Sequence, residues 1–546
     1  MYKRATRLAG KLFSDSPLRL ATFRLFYFGS VGVALGYTMQ ATVAAWLMAT
    51  LTPSALMVAL VQTASTAPSL LLGLAAGALA DIVDKRRVIL ITQILLIAAT
   101  TALGALTLAG LTGPLVLLAL TFLIGASFTF YMPAQQSSVN DLVARTELPR
   151  AVALNAVAFN VARAVGPAIA GLVAAWLSTG SAMLLSGLFF LVMIVAIRRM
   201  KRSGPALRGV PETIRSGIQS GLRYTRHSPP MRALLIRNLC FSLSASALWA
   251  LLPVIARDQL HLGAGGYGLL SAGFGIGAVA GALSIPQLLQ RTSLNTVVTG
   301  GAILWTVASL IVAAAEHTAL ALVGVCAAGA AWVSVLASLS AGTQSAAPAW
   351  VRARAVAMSL VVMQAALAVG SVVWGSIATV AGTPAALATS SGLLLVLLAL
   401  NRRVRVRLGN DADVTPGVQL PDLAIKVEPL PDDGPVLIQI EYRIDPENRD
   451  AFLRSIHKIE ATRRRNGASA WRVFRDLGED GRFVERFVIS SWAEYVRLRT
   501  RMTIADRHLQ DRVEQFQRKG VPLGVSRLIG ITEHDMPPGT TTEQVA

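Results

Sequence analysis

Residues 114–138 read PLVLLALTFLIGASFTFYMPAQQSS and contain no charged side chain. A helix crossing a hydrocarbon core of roughly 30 Å needs about 20 such residues. Unpaired backbone groups in lipid cost several kcal/mol each, which favours a helix, and a barrel would show short alternating strands instead. The same pattern recurs at about 23–49, 55–80, 88–109, 151–177, 181–198, 232–255, 265–289, 294–314, 318–345, 354–380 and 384–401. Twelve transmembrane helices, spans 1–12 below, are expected.

Composition agrees. Of 546 residues, 53% are hydrophobic and 15% charged, against roughly 25% charged in soluble domains. An ordinary cytosolic enzyme is excluded. The net charge of +20 could suggest nucleic acid, but residues 1–407 hold 30 Lys and Arg against 8 Asp and Glu, while 408–546 hold 20 against 22. The excess basicity sits in the apolar part, so its partner is the lipid bilayer and no nucleic acid is implied. With the N-terminus inside, the cytoplasmic segments collect Lys85, Arg86, Arg87, Arg145, Arg150, the Arg198–Arg237 group, Arg291, Arg352, Arg354 and Arg402–Arg407. The outside loops hold one basic residue, Arg257. This bias places both the N-terminus and the 408–546 tail in the cytoplasm of an inner-membrane protein. Lys3, Arg4, Arg7, Lys11 and Arg19 form a basic leader without a cleavage site, not a signal peptide. Cys240 and Cys326 lie in apolar runs and imply no disulfide framework.

Sliding the chain by 204 residues places Gly73, Ala76, Gly77, Ala78 and Leu79 on Gly277, Ala280, Gly281, Ala282 and Leu283. The same offset places Arg150–Ala153 on Arg354–Ala357, and Ala164, Val165, Gly166 and Gly171 on Ala368, Val369, Gly370 and Gly375. One offset serving spans 2 and 8, and spans 5 and 11, means a duplicated six-helix bundle. The halves are 1–198 and 232–407, joined by a cytoplasmic linker, 199–231, in which Ile214–Tyr224 forms a short basic helix. Gly73, Gly77, Gly273, Gly277 and Gly281 recur at four-residue spacing, which lets helix backbones approach closely.

The stretch Gly77-Ala-Leu-Ala-Asp81-Ile-Val-Asp-Lys85-Arg86-Arg87 resembles the major facilitator superfamily signature G-x-L-A-D-x-x-G-[RK]-[RK], with Asp84 in the usual glycine position. Span 5, Asn155-Ala-Val-Ala-Phe-Asn160-Val-Ala-Arg163-Ala-Val-Gly166-Pro167-Ala-Ile-Ala-Gly171, is similar to the G-P-x-x-x-G signature of superfamily exporters. With Pro133-Ala134 and Arg354…Gly370…Trp374-Gly375, it looks most like the branch containing enterobactin exporters. The likeness covers about residues 15–405. It implies two pseudo-symmetric bundles that rock about a central path lined by spans 1, 4, 7, 10 and 11. The cavity residues it implies include Tyr37, Gln40, Trp46, Tyr131, Gln135, Trp249, Trp332, Gln364 and Trp374. Trp46 and Trp374 suit an interfacial belt equally well. Aromatic faces with few amides suit an amphipathic small molecule rather than a sugar.

Asp81 ends span 2 where span 11 presents its N-terminus and Arg354. A carboxylate there gains from the dipole and the guanidinium and closes an inner gate with Gly77, Lys85 and Arg86. Gly166-Pro167 is expected to interrupt span 5 and let it slide against span 8. Arg163 lies too deep for easy snorkelling, at a cost of about 2.5–3.5 kcal/mol on insertion scales. No Asp or Glu lies inside a span; Asp81, Asp84, Asp141, Glu147, Asp258 and Glu316 sit at ends. The partner of Arg163 is then a carbonyl, an amide such as Gln135, Gln136, Asn160 or Gln364, or an anionic substrate group. No Walker-type loop occurs, so an ion gradient, protons first, is the expected drive.

After a linker at 408–434, the period changes. Val436, Ile438, Ile440 and Tyr442 alternate as a strand, and Phe452, Ile456 and Ile459 mark a helix from Pro446 to about Arg465. Strands at about 468–476 and 482–491, a helix at 492–517 and a strand at 523–532 complete a β-α-β-β-α-β order. This ferredoxin-like domain, 435–532, precedes a disordered 533–546. Ser491-Trp492-Ala-Glu-Tyr495 resembles the antibiotic-biosynthesis monooxygenases, dimeric α/β barrels, which implies a homodimer through the tail. His457, His508 and Glu485 make no metal-ligand spacing. No metal, cofactor or catalytic residue is expected. The expected protein is an exporter of a siderophore or antibiotic-like compound; the alternative is a membrane-tethered sensor or monooxygenase-like protein whose tail carries the activity.

Overall fold

In a computed structural model, residues 16–144, 146–200, 214–348, 350–415 and 429–530 are described. The basic leader up to residue 15, part of the linker and the 533–546 tail lie outside them. Twelve helices are long and apolar enough to span a bilayer. They are Ala21–Leu51, Ala55–Ile82, Lys85–Leu108, Pro114–Leu142, Leu148–Trp176, Thr179–Arg199, Pro229–Val254, Ala264–Arg291, Leu294–Ala313, Thr318–Ala346, Arg352–Ala381 and Thr383–Leu400. Their starts are set locally. Ser54, Ser178 and Ser293 cap spans 2, 6 and 9 by accepting from the N–H groups of Met57, Ser181 and Thr296, each satisfying a helix donor that has no intrahelical partner. Asp84, which departs from the superfamily pattern, does the same for span 3 by accepting from the Arg86 N–H. Span 7 ends in a π turn, Ile255–Gln259. Span 5 differs from expectation: Gly166-Pro167 does not interrupt it, and the helix runs unbroken through Pro167 from Leu148 to Trp176.

The chain divides into two compact units. The first holds most of the twelve spans. Its core includes Phe23, Phe26, Leu96, Phe190 and Met193, all buried. The second combines the tail with residues 212–234 and 341–358, that is, the linker helix and the adjoining ends of spans 7, 10 and 11. The linker helix runs from Ile214 to His227.

The tail carries strands β1 (Val436–Arg443), β2 (Ser469–Arg475), β3 (Arg482–Ile489) and β4 (Gly524–Ile529). The sheet is antiparallel in the order β2-β3-β1-β4, with Val436 opposite Ile489 and Ile529. Val436, Ile438, Ile440 and Tyr442 turn inward, as the period-two pattern requires. They meet Phe452, Ile456 and Ile459 of helix α1 (Arg449–Asn466). The helix expected over 492–517 is two helices, α2 (Trp492–Arg501) and α3 (Ile504–Glu514). Met502 is extended, and Thr503 and Asp506 form a reciprocal capping box that starts α3.

Glu485, completely buried, is the centre of the tail's interior. It accepts from Arg463 Nε at 3.0 Å, Trp471 Nε1 at 2.8 Å and the Tyr442 hydroxyl at 3.1 Å. Burial and the adjacent carboxylate push the Tyr442 pKa well up. His457 lies exposed on α1, its Nδ1 at 2.8 Å from the Leu453 carbonyl, and His508 is exposed on α3.

Candidate functional site

The span connections alternate between two ends of the bundle. One carries the connections at 83–84, 143–147, 292–293 and 347–351; call it the near end, and the opposite one the far end. The two six-helix halves meet in the far half of the first unit. The Leu56 N–H donates to Thr379 Oγ1 at 3.1 Å, and the Thr63 hydroxyl to the Ala368 carbonyl at 3.1 Å, joining spans 2 and 11. Arg257 donates to the Thr52 carbonyl at 2.8 Å and pairs with Asp258. Trp46 stacks on Tyr267 with centroids 5.8 Å apart. Spans 5 and 8 touch backbone to backbone. A Cβ on Gly171 would lie 2.7 Å from Gly268 Cα, and one on Gly275 would lie 2.3 Å from Ala164 Cα. Pro53, Asp258, Gln259, Thr379 and Thr383 line a cleft of about 330 Å³ above this seam.

The near half is different. Gly73 and Gly77 of span 2 have no described heavy atom within 4 Å of where a Cβ would stand, while their counterparts Gly277 and Gly281 pack on Cys326 and Ala330 of span 10. Close approach at the recurring glycines therefore holds on span 8 and not at these two positions of span 2. Leu71, Val157, Ile276 and Leu283 are exposed. The side chain of Asp81 lies outside the described residues. Lys85 pairs with Asp141 and donates to the Ser137 carbonyl at 3.1 Å, tying span 3 to span 4. Arg86 donates to the Ile197 carbonyl at 2.8 Å at the end of span 6. Both cations thus bind neighbouring helix ends. In the second unit, the Arg354 Cβ lies 3.1 Å from where a Cβ on Gly221 would stand.

Between the two ends sits Arg163. Among the described residues it makes no hydrogen bond or ion pair, and its one described contact is the Phe159 ring, 5.9 Å from the guanidinium carbon. Pro167 has no N–H to give the Arg163 carbonyl. Gly166 packs on span 1, where the Thr38 hydroxyl donates to the Ala162 carbonyl at 3.0 Å. Phe159 adjoins Phe128 at 6.3 Å, and Phe128 stacks on Tyr37 at 3.9 Å and touches Tyr131 at 5.9 Å. In the other half, Trp249 and Trp332 lie 5.6 Å apart, and Trp249 meets Phe274 at 4.5 Å. The geometry thus adds Phe128, Phe159, Phe274 and Trp305, which packs 5.8 Å from Trp332. Counting apolar positions cannot single them out, because an aromatic residue packed in such a cluster and one that faces lipid look alike in a sequence.

The remaining polar residues are distributed unevenly. Gln135 is buried and donates to Ser30 Oγ at 3.2 Å. Gln40 is buried, and its Nε2 has no described partner. Trp374 is buried and donates to the Leu243 carbonyl at 2.7 Å, inside the second half. Asn160 donates to the Ala156 carbonyl at 2.9 Å. The Oδ1 of Asn155 is buried without a described partner. Gln364 is half-buried. No group of three or more His, Cys, Asp or Glu among the described residues could hold a metal.

The profile of a family described as transmembrane secretion effector matches residues 13–535. The multidrug efflux pump Tap of Mycolicibacterium fortuitum is 28% identical over 397 residues, 70% of this chain and 94% of that protein. The staphyloferrin A transporter of Staphylococcus aureus is 24% identical over 251 residues, 45% of this chain and 62% of that one. Among solved structures, an inward-facing, unoccupied bacterial homolog of the human lysosomal transporter Spinster superposes with a TM-score of 0.60 at 13% identity, covering 72% of this chain and 98% of that one. The nucleoside transporter NupG superposes with a TM-score of 0.57 at 12% identity, over 70% and 98%. At such identities the structural likeness carries the fold alone.

Proposed function

Because the chain belongs to the transmembrane secretion effector family of major facilitator transporters, we propose that it exports a small amphipathic molecule, a siderophore or antibiotic-like compound, across the inner membrane by alternating access. The observation that carries this reading is the asymmetry of the seam between the halves. Hydrogen bonds and backbone contacts join them in the far half, while Gly73 and Gly77, toward the near end, have no described heavy atom within 4 Å of where a Cβ would stand. With the near end cytoplasmic, as the basic loops favour, this is the state that loads cargo from the cytosol. Tap and the staphyloferrin A transporter support the cargo class; the enterobactin-exporter branch is a finer form of the same proposal.

The proposed path runs past Arg163 between the Tyr37, Phe128, Tyr131 and Phe159 rings and the Trp249 cluster, with Gln40, Gln135, Asn155, Asn160, Gln364 and Trp374 as its polar margin. Asp81 and Arg354 form the proposed inner latch, which engages when the near end closes. Protons are the proposed drive. The test is accumulation of labelled siderophores and drugs in cells carrying the full chain, with and without a protonophore. Export that collapses with the protonophore, and falls in Asp81→Asn at unchanged membrane levels, is expected. Export indifferent to the protonophore refutes proton drive, and wild-type export by Asp81→Asn refutes the latch. If deleting 409–546 removes all activity while insertion survives, the tail-centred alternative replaces the exporter.

The tail supports a homodimer. One face of its sheet is filled by the inward residues of β1 and β3. The other, with Leu437, Val484, Val488 and Leu528 in adjacent strands, is half-open, and Leu528 is 50% exposed. A second copy of the sheet is the proposed occupant. Val484→Asp is expected to convert purified dimer to monomer in light scattering; parent protein that is already monomeric rejects the proposal.

A further inference from the structure

Within the second compact unit, one carboxylate of the tail pairs with the linker helix. Glu494, at the start of α2, is 10% exposed. It accepts from Arg223 of the linker helix at 2.7 Å and from Arg501 of its own helix at 2.7 Å. Arg497 adds a longer bridge of 3.5 Å. Burial raises the Glu494 pKa, but Arg501 and Arg223 outweigh it and hold the carboxyl below its usual value. The group is therefore ionised at neutral pH, and its two short bonds are charge-assisted.

Arg501 reaches further. Its guanidinium carbon lies 4.3 Å from the ring centroid of Trp350, in the connection between spans 10 and 11. Trp350 meets the edge of Tyr224 at 5.8 Å, and the Tyr224 hydroxyl donates to the Ala346 carbonyl, the last residue of span 10, at 2.9 Å. Arg465 of α1 lies 5.8 Å over the same Tyr224 ring. Gly467 closes α1 with φ of 128°. A Cβ there would stand 3.3 Å from a Glu494 carboxylate oxygen, so a larger residue would meet both a strained backbone and this bridge. Tail, linker helix and the 347–351 connection are thus held by overlapping ionic, aromatic and backbone contacts. Spans 10 and 11 continue as single helices from this unit into the first. These two helices are therefore the covalent route along which a displacement of the connection would reach the first unit.

We propose that the tail is a working part of the inner gate: α2, through Glu494, Arg501 and Trp350, positions the near ends of spans 10 and 11 and sets how readily they close. Glu494, Arg501 and Trp350 are positioning residues. They need not touch cargo. The proposal rests on the alternating-access reading for its consequence in transport, but not for its structural content.

The experiment uses the full chain in proteoliposomes, with Cys240 and Cys326 replaced by serine and spin labels at Gly77→Cys and Leu360→Cys. Electron-paramagnetic distance distributions are compared for the parent, Glu494→Gln and Trp350→Leu. Arg507→Gln, which breaks an exposed pair with Asp511, is the control. A narrow parent distribution that shifts or splits in both variants and not in the control is expected. Efflux of a labelled drug is expected to fall severalfold in maximal rate at unchanged KM. Parent-like distances in both variants, or an equal shift in the control, overturn the proposal. If Glu494→Gln does not fold, Trp350→Leu decides alone, since it leaves the tail's own core intact. Shifted distances with no transport even by the parent support the gate coupling and reject the exporter instead.

Discussion

Gly171→Leu is expected to cut export by about two orders of magnitude without lowering the amount of protein in the membrane. The reason is backbone geometry at the far end. A Cβ on Gly171 would stand 2.7 Å from Gly268 Cα and 2.9 Å from the Ala264 carbonyl oxygen, and one on Gly268 would stand 2.7 Å from Gly171 Cα. Neither neighbour is a side chain that can swing away. Spans 5 and 8 must separate, and overpacking of this kind costs about 1–3 kcal/mol even where neighbours are flexible. At the upper end of that range the sealed state falls about a hundredfold in population, since 1.4 kcal/mol is a factor of ten. Each bundle keeps its own packing, because the pair joins the two halves rather than stabilising either. The arrest should therefore leave the far end open. Ala59, buried against span 11 near Gly375, reports it: Ala59→Cys is expected to resist a membrane-impermeant maleimide in the parent and react in the Gly171→Leu background. Gly171→Ala should be intermediate. Parent-like export by Gly171→Leu removes the seam from the mechanism.

This pair also shows what a sequence can and cannot say about such a protein. The twelve spans were legible because lipid demands long uncharged runs, and charged ends such as Lys85–Arg87 and Arg402–Arg407 delimit them sharply. The duplication was legible because both halves solve the same packing problem, so Gly171 aligns with Gly375. What those glycines touch was not, since small residues permit close approach without choosing a partner. Gly171 meets Gly268 across the halves, whereas Gly277 packs inside its own half and Gly77 meets nothing described. Pro167 is a related case. A proline removes one donor, but tight packing against spans 1 and 8 holds the helix through it. Lys85 and Arg86 read as parts of an inner gate with Asp81, because the partners they have here, Asp141 and the Ile197 carbonyl, are brought close only by tertiary packing. In the tail, alternating strands announced the sheet. The break at Met502 depended on the Thr503–Asp506 capping box, which a continuous apolar period hides.

Arg163 carries the other large effect, and the direction of a second observable separates its two roles. A guanidinium at this depth costs about 2.5–3.5 kcal/mol on insertion scales. The Phe159 ring at 5.9 Å offsets about 0.5–2 kcal/mol of it. No carboxylate lies inside a span to offset the rest. If the charge is kept for cargo, Arg163→Ala leaves membrane levels and thermal stability unchanged or higher. An anionic substrate then loses a charge-assisted hydrogen bond worth about 1.5–3 kcal/mol, so its KM rises about 10- to 150-fold. Neutral cargo should move by less than about twofold, and Arg163→Lys should keep part of the anion preference while losing the planar, bidentate geometry. If Arg163 is instead an interhelical lock through carbonyls or amides, alanine lowers stability and slows anionic and neutral cargo alike. Efflux of a matched pair, an aryl carboxylate and its methyl ester, measured beside the melting temperature of the purified variant, decides between them. Selective loss of the carboxylate in a protein that melts no lower than the parent is the expected result, and equal loss of both esters and acids in a destabilised protein assigns Arg163 to the scaffold.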